Sequence, residues 1–324
     1  MYKSQQLKTE TVFTEWKCVN MNKRFIILFN EKKDKCLSVA RQVTEYFVLK
    51  GATVYFEEKM RSACKEAIPY AEYFDTVIPE NIRAAIVIGG DGTILRAARL
   101  LYGHDIPMIG INLGTVGYLT ELEVGEYELL EKLFETDKEI PKDVLSDERM
   151  MLSFRIVRDG KIAYEGVALN EAVLAKGEIS RMIDVDLFHD GSLVTSYQCD
   201  GVIVSTPTGS TAYSLSAGGT IMDPEMACIG VVPLCPYLAI YSGPILFSEK
   251  ARIELVFRAR RGSAAYLSAD GKENISLCDG DRIEIRSADH KAKLWRFKNT
   301  DFYRLLNTKL KNRMLMLTDG RERE

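Results

Sequence analysis

The segment Phe25-Ile26-Ile27-Leu28-Phe29 constrains this chain most. A short continuous apolar run is the pattern of a strand buried on both faces, the usual state of strands in parallel sheets. A helical segment follows, with apolar Cys36, Val39, Ala40, Val43 and Phe47 at three-to-four spacing. Gly51 stands in a good C-cap position behind it. Ala52 to Phe56, Ala84 to Ile88 and Met108 to Ile111 read as further strands, several of them separated by helical segments. Strands alternating with helices imply a parallel sheet built from right-handed crossovers.

The pattern changes after about residue 145. Leu152–Val157, Ala168–Leu174, Ile183–Phe188, Gly201–Ser205, Ala251–Phe257 and Arg282–Arg286 all read as strands. The Asp-Gly pairs at 159–160, 190–191 and 279–280 punctuate them as turns. From Phe302 to Leu317 the pattern is helical again. The expected fold is therefore an α/β N-terminal domain with a parallel sheet, a mostly-β C-terminal domain, and a C-terminal helical tail returning to the first domain. The expected divisions are a flexible extension over 1–20, an α/β domain over 21–145, an all-β domain over 146–295 and a tail over 296–324. A length of 324 residues fits two domains.

Composition narrows the function. The net charge of −3 supplies no excess of cations to neutralise a row of phosphates, so nucleic acid is not an expected partner. No apolar run reaches the ~20 residues of a membrane span. Seven cysteines, an odd number with no Cys-x-x-Cys, argue against a disulfide framework or a zinc ribbon and for a reducing cytoplasm. The only histidines are His104, His189 and His290, and no His-Glu-x-x-His contains them.

Four stretches carry chemistry. Gly89-Gly90-Asp91-Gly92-Thr93 follows the strand ending at Ile88 and precedes a helical run. Ligands bind at the carboxyl ends of such strands, where glycine backbone and helix N–H groups meet phosphates. Asp91 opposes a phosphate's charge, which makes sense if it accepts a hydroxyl proton or holds Mg²⁺. The plain alternative is a tight turn with Asp91 as a helix cap. Asn112 to Thr120 forms a second glycine loop behind the next strand, or a simple connection. Asn170-Glu171, inside the strand-like segment Ala168 to Leu174, pairs an amide with a carboxylate, which suits a nucleoside; the alternative is a solvated pair. From Asp200 to Gly219 a Val-Ile-Val strand runs into a loop dense in hydroxyls and glycine, able to bind phosphate or ribose without competing charge. A linker would be more polar.

Together the four stretches resemble the NAD kinase family, in the order Gly-Gly-Asp-Gly, Asn-Glu, then Ser205-Thr206-Pro207-Thr208-Gly209-Ser210-Thr211-Ala212-Tyr213. The resemblance covers about residues 22 to 312, including Ser268-Ala269-Asp270-Gly271 and the tail Asp301 to Leu310. It implies phosphoryl transfer to the 2′-hydroxyl of NAD's adenosine ribose, from ATP or polyphosphate, with Mg²⁺ or another divalent metal. It implies NAD lying between the two domains. It matches Asp91 to the proton acceptor. It matches Gly92, Arg96, Asn170, Glu171, Asp200, Thr211, Ala212, Tyr213, Ser214, Leu215 and Ser216 to NAD contacts, Arg96 at a variable position. Arg181 matches a position near a neighbouring subunit's ligand, hence a homo-oligomer, dimer or tetramer. Pro236-Tyr237 stands where many relatives have Pro-His, Leu238 to Gly243 does not match, and Lys272 replaces a glutamine of some relatives.

The expectation is a cytoplasmic NAD kinase with NAD and ATP as small-molecule substrates, binding neither nucleic acid nor membrane. A lipid kinase would share the Gly-Gly-Asp-Gly loop but have no use for Asn170-Glu171. A non-catalytic NAD sensor on the same scaffold would gain nothing from Asp91 beside phosphates.

Overall fold

The computed structural model describes residues 23–30, 34–114, 117–136, 139–178, 181–237, 241–260, 262–298 and 301–319. The extension expected over 1–20, the middle of the second glycine loop at 115–116 and the unmatched residues 238–240 lie outside them. The chain divides into two compact units: 1–97 with 104–147 and 293–324, and 98–103 with 148–292.

The first unit is built on an eight-stranded sheet. Its strands are β1 (Arg24–Phe29), β2 (Thr53–Glu57), β3 (Glu72–Phe74), β4 (Ile82–Gly89), β5 (Met108–Asn112), β6 (Leu122–Glu123), β7 (Leu145–Arg149) and, from far along the chain, β20 (Ala292–Arg296). The order is β3-β2-β1-β4-β5-β20-β7, with β6 beside β5. Ladders β1 to β6 are parallel, and β20 joins β5 in parallel. Phe25, Ile27 and Phe29 of β1 pack in one cluster with Cys36, Val39, Ala40, Val43 and Phe47. Those five residues form the buried stripe of helix α1 (Asp34–Leu49). The Phe25 and Phe47 rings lie 4.3 Å apart, so the apolar run and the helical period meet in one core. Gly51, at φ +79°, lets the chain leave the helix. Helix α2 (Asp91–Leu100) opens directly behind β4, and helix α3 (Phe302–Asp319) falls with this unit.

The second unit is a pair of six-stranded sheets facing a common core. One runs β15-β14-β13-β10-β17-β18 and the other β12-β11-β16-β19-β8-β9. The strands are β8 (Leu152–Arg158), β9 (Lys161–Ala168), β10 (Glu171–Lys176), β11 (Ile183–His189), β12 (Ser192–Cys199), β13 (Gly201–Ser205), β14 (Cys228–Leu234), β15 (Ile245–Ser248), β16 (Ile253–Arg258), β17 (Ala265–Ala269), β18 (Lys272–Leu277) and β19 (Arg282–Ser287). Every ladder here is antiparallel. Leu152, Phe154 and Ile156 alternate inward from one sheet, and Val202, Val204 and Leu267 meet them from the other. Strand β13 is buried on both faces, because Ile203 packs outward against Val173 and Val232.

One strand expectation needs correcting. Ala168 to Leu174 is not a single strand: β9 ends at Ala168, Leu169-Asn170 turns the chain, and β10 begins at Glu171 in the other sheet. The apolar residues on either side of Asn170-Glu171, Ala168 before it and Ala172 and Leu174 after it, belong to two strands that face the same core. Among the described residues six cysteines are free thiols, and no helix is long and apolar enough to cross a membrane.

Candidate functional site

In the first unit β4 and β5 lie side by side, and Gly89 pairs with Asn112 at their carboxyl ends. The two glycine loops therefore leave the sheet as neighbours. Asp91, the first residue of α2, does not behave as a simple helix cap. Its Oδ2 accepts the Tyr118 N–H at 2.9 Å and its Oδ1 the Leu119 N–H at 2.9 Å. Lys309 of α3 places its ammonium 3.5 Å from Oδ2 and 3.7 Å from the Tyr118 ring centre. Charged hydrogen bonds of this kind fix a carboxylate's orientation. Gly117 makes the clasp possible, because a Cβ there would overlap Asp91 Oδ1 and Thr120 Oγ1. Asn112 shapes the second loop, donating to the Gly114 carbonyl at 3.1 Å and to Glu123 at 3.3 Å. Gly92 is exposed, and a Cβ on it would meet no side chain within 4 Å among the described residues. Arg96 is ion-paired to Glu57 at the end of β2.

In the second unit Asn170 ends the turn between β9 and β10, and Glu171 opens β10. Asp270 organises that turn. Its carboxylate accepts the N–H groups of Leu169 (3.0 Å), Asn170 (2.8 Å) and Glu171 (3.3 Å), and its own N–H donates to the Glu171 carbonyl at 3.0 Å. Asp270 is nearly buried at φ +50°, with Gly271 completing the reversal into β18. The Arg99 guanidinium donates to the neighbouring Ala269 carbonyl at 3.0 Å. Burial raises the Asp270 carboxyl, opposed by the three N–H donors and Arg99.

The hydroxyl-rich loop locks onto the same turn. Thr206 donates its hydroxyl to the Leu169 carbonyl at 2.6 Å and its N–H to the Asn170 carbonyl at 2.8 Å. Gly209 lies so close that a Cβ would overlap the Asn170 carbonyl. Ser210 donates to the Pro207 carbonyl at 2.6 Å and accepts from Met222. These hydroxyls thus build the loop itself. A helical turn then spans Tyr213–Ser216, with Ser214 buried and Tyr213 about half exposed. Thr211 donates to Thr208, and Ala212 links the two helical turns. Asp200 is paired with Lys176 at 2.6 Å. Arg181 is exposed and pairs with Glu178 at 3.3 Å, beside residues outside the described set.

Glu171 is the strained group. It is 6% exposed, and its Oε2 has no hydrogen-bond partner among the described residues. Burial first, then the Asp270 charge, push its carboxyl up to about 7, while the Tyr213 N–H pulls it down. From the ordinary glutamate range up to about 7 the unfolded chain has released this proton and the folded chain has not. Stability therefore falls across that window and the loss is complete above it, each tenfold gain in proton affinity costing roughly 1.4 kcal/mol. Glu171→Gln is expected to raise the melting temperature of the ligand-free protein at pH 8 by about 2–6 °C and to change it little at pH 4.5. Equal melting temperatures for parent and variant at pH 8 would contradict this account.

The described residues include no group of three or more His, Cys, Asp or Glu side chains able to hold a metal. Both Asp91 oxygens already accept backbone N–H groups. This donor set does not fit a protein-held ion.

Asp91, Asn170, Glu171 and the Thr206–Ser216 loop are legible as motifs. Sequence alone assigns no role to Asp270 or Lys309. Asp270 sits in an Asp-Gly pair, which reads as a plain turn. Lys309 lies on a helix rich in basic residues, which reads as a solvated face.

Comparison with known proteins agrees with this picture. The ATP-NAD kinase N-terminal domain matches residues 25–138, and the ATP-NAD kinase C-terminal domain matches residues 169–297. An NAD kinase of Citrifermentans bemidjiense is 33% identical over 290 residues, covering 89% of this chain and 98% of the relative. The crystal structure of an NAD kinase from Archaeoglobus fulgidus in complex with ATP superposes with a TM-score of 0.63 at 28% identity, over 89% of this chain and 98% of that one. Yeast NADH kinase complexed with NADH shares the fold, with a TM-score of 0.75 at 22% identity over 90% and 89% of the two chains. The parallel-sheet unit with its Gly-Gly-Asp-Gly loop and the two-sheet β unit define a phosphotransferase of the nucleotide-kinase type. The chain belongs to the NAD kinase family.

Proposed function

We propose that the chain transfers the terminal phosphoryl group of ATP to the 2′-hydroxyl of the adenosine ribose of NAD, giving NADP, with Asp91 as proton acceptor. The ribose oxygen forms a bond to the γ-phosphorus as the bond to the β,γ-bridging oxygen breaks. ADP leaves, and the hydroxyl proton passes to Asp91. Phosphoryl transfer asks the protein mainly for alignment and charge neutralisation. The observation that carries the reading is the clasped Asp91 carboxylate at the end of β4, held by two N–H donors and a lysine. Oδ1 is charged to accept a proton and fixed in direction.

In this reading Asn170 and Glu171 hold the adenosine, and Asp200 with Thr211, Ala212, Tyr213, Ser214, Leu215 and Ser216 completes the NAD contacts. The unpartnered Glu171 Oε2 supports this, because a buried acceptor without a partner gains most from a ligand hydroxyl. Gly92 lies against the ligand, and its lack of any packing demand supports the assignment. Arg96 is the weaker NAD contact, since Glu57 already engages it. ATP is the donor by analogy with the Archaeoglobus fulgidus relative, with polyphosphate as the other phosphate source. Mg²⁺ or another divalent ion enters on the donor's phosphates, as part of that substrate. Arg181 touches the ligand of a neighbouring subunit, so the working form is a homo-oligomer. A cytoplasmic location fits the free thiols.

The test is NADP formation by the purified chain from NAD and ATP, with light scattering on the same sample. NADP product from a species larger than one chain is expected. NAD binding without turnover would favour a sensor, and a fully active monomer would remove the role given to Arg181.

A further inference from the structure

Two of the donors on Asp91 come from the loop facing it, and the third comes from the end of the chain. Asp301 starts helix α3, accepting the Tyr303 N–H at 2.8 Å on its side chain and the Leu305 N–H at 3.1 Å on its carbonyl. Leu306 is the buried residue of the helix's first turns, and Lys309, three positions on, shares its face. The Lys309 side chain is 18% exposed, its ammonium against Asp91 Oδ2 and its charge over the Tyr118 ring. A lysine serving only to tether a helix usually keeps its ammonium in water. This one is drawn under cover onto the carboxylate assigned above as the proton acceptor.

A carboxylate has about four acceptor sites. On Oδ2 one is taken by the Tyr118 N–H, and the Lys309 ammonium stands 3.5 Å away as an ion pair; on Oδ1 one is taken by the Leu119 N–H. Among the described residues one site on Oδ1 remains for a hydroxyl. We propose that Lys309 is a positioning residue for phosphoryl transfer: from the C-terminal helix it pins Oδ2 of Asp91, so that Oδ1 faces the substrate hydroxyl in a fixed direction. The proposal rests on the reading of Asp91 given under Proposed function. The titratable groups that face Lys309 among the described residues are Asp91 from α2 and Tyr118 from the loop behind β5. Burial lowers the lysine below its ordinary range, and Asp91 opposes that shift.

The experiment compares Lys309→Met and Lys309→Arg with the parent and with Asp91→Asn, in steady-state NADP formation and in thermal melting. Lys309→Met is expected to lower kcat about ten- to a hundred-fold, since small misplacements of a reacting group have effects of that order. The KM values for NAD and ATP should stay within about threefold, because only alignment is lost. Lys309→Arg should recover most of kcat, since a guanidinium can keep both contacts. Parent kcat should decline at alkaline pH as the lysine loses its proton, whereas Lys309→Arg should stay flat there because its guanidinium remains charged. A folded Lys309→Met with parental kcat overturns the proposal. So does a loss that Lys309→Arg leaves unrepaired and that follows the melting temperature alone, which marks a tether only. Asp91→Asn separates the two ideas. Near-normal kcat there removes the proton-acceptor reading itself, while an inactive Asp91→Asn beside a parental Lys309→Met removes only the role of Lys309.

Discussion

Gly117→Ala is expected to lower kcat about a hundredfold or more while the protein still folds. A Cβ at this position overlaps Asp91 Oδ1 and Thr120 Oγ1 and stands 2.9 Å from Asp91 Cγ. Relief has two routes, and both spoil the site. Either Asp91 rotates away and gives up the Tyr118 and Leu119 N–H groups, or the loop backbone retreats and takes those donors with it. Overpacking of this kind typically costs about 1–3 kcal/mol of stability, within reach of a domain with a large core. Asn170 and Glu171 are held by Asp270 and Thr206, which the change does not touch, so the KM for NAD should move far less than kcat. Steady-state kinetics with a melting curve check this. A folded variant with parental kcat would mean that Asp91 needs no clasp.

The parallel sheet was readable because its central strands are covered on both faces. Phe25 to Phe29 and Met108 to Ile111 have no polar face to break the apolar run. The strand at Gly201–Ser205 was readable for the same reason, with Ile203 covered by Val173 and Val232 on the outer side. The alternating strands Leu152–Arg158 and Ile183–His189 announced themselves by period. Strand β20 did not, because its place beside β5 rests on a pairing of Leu294 with Met108 that leaves no local trace. β3 and β6 are three and two residues long, too short to carry a pattern. The candidate site residues were legible as motifs where glycine and hydroxyl residues crowd around them. What stayed hidden were the residues that hold those groups from a distance in sequence. Asp270 reaches the Asn170-Glu171 turn, and Lys309 reaches Asp91, only through the tertiary fold.

Asp91→Asn is expected to lower kcat for NADP formation by about 10²–10⁴-fold, the usual loss of general-base assistance. That corresponds to roughly 3–5.5 kcal/mol of barrier. The substitution keeps the size of the side chain and an oxygen for one of the two N–H donors, so the loop and helix α2 should stay in place. It removes the charge that attracts Lys309 and the basic oxygen that takes the proton. None of the three histidines belongs to the motifs that carry the site. Glu171 is the rival carboxylate, but it is buried where Asp270 accepts its N–H and is given the task of holding the nucleoside. The most direct test is a single-turnover measurement on Asp91→Asn with NAD and ATP both saturating, alongside the dissociation constant for NAD. The account predicts a chemical step slowed at least about a hundredfold with NAD affinity within about threefold of the parent. A near-parental single-turnover rate would contradict it and pass the proton to Glu171.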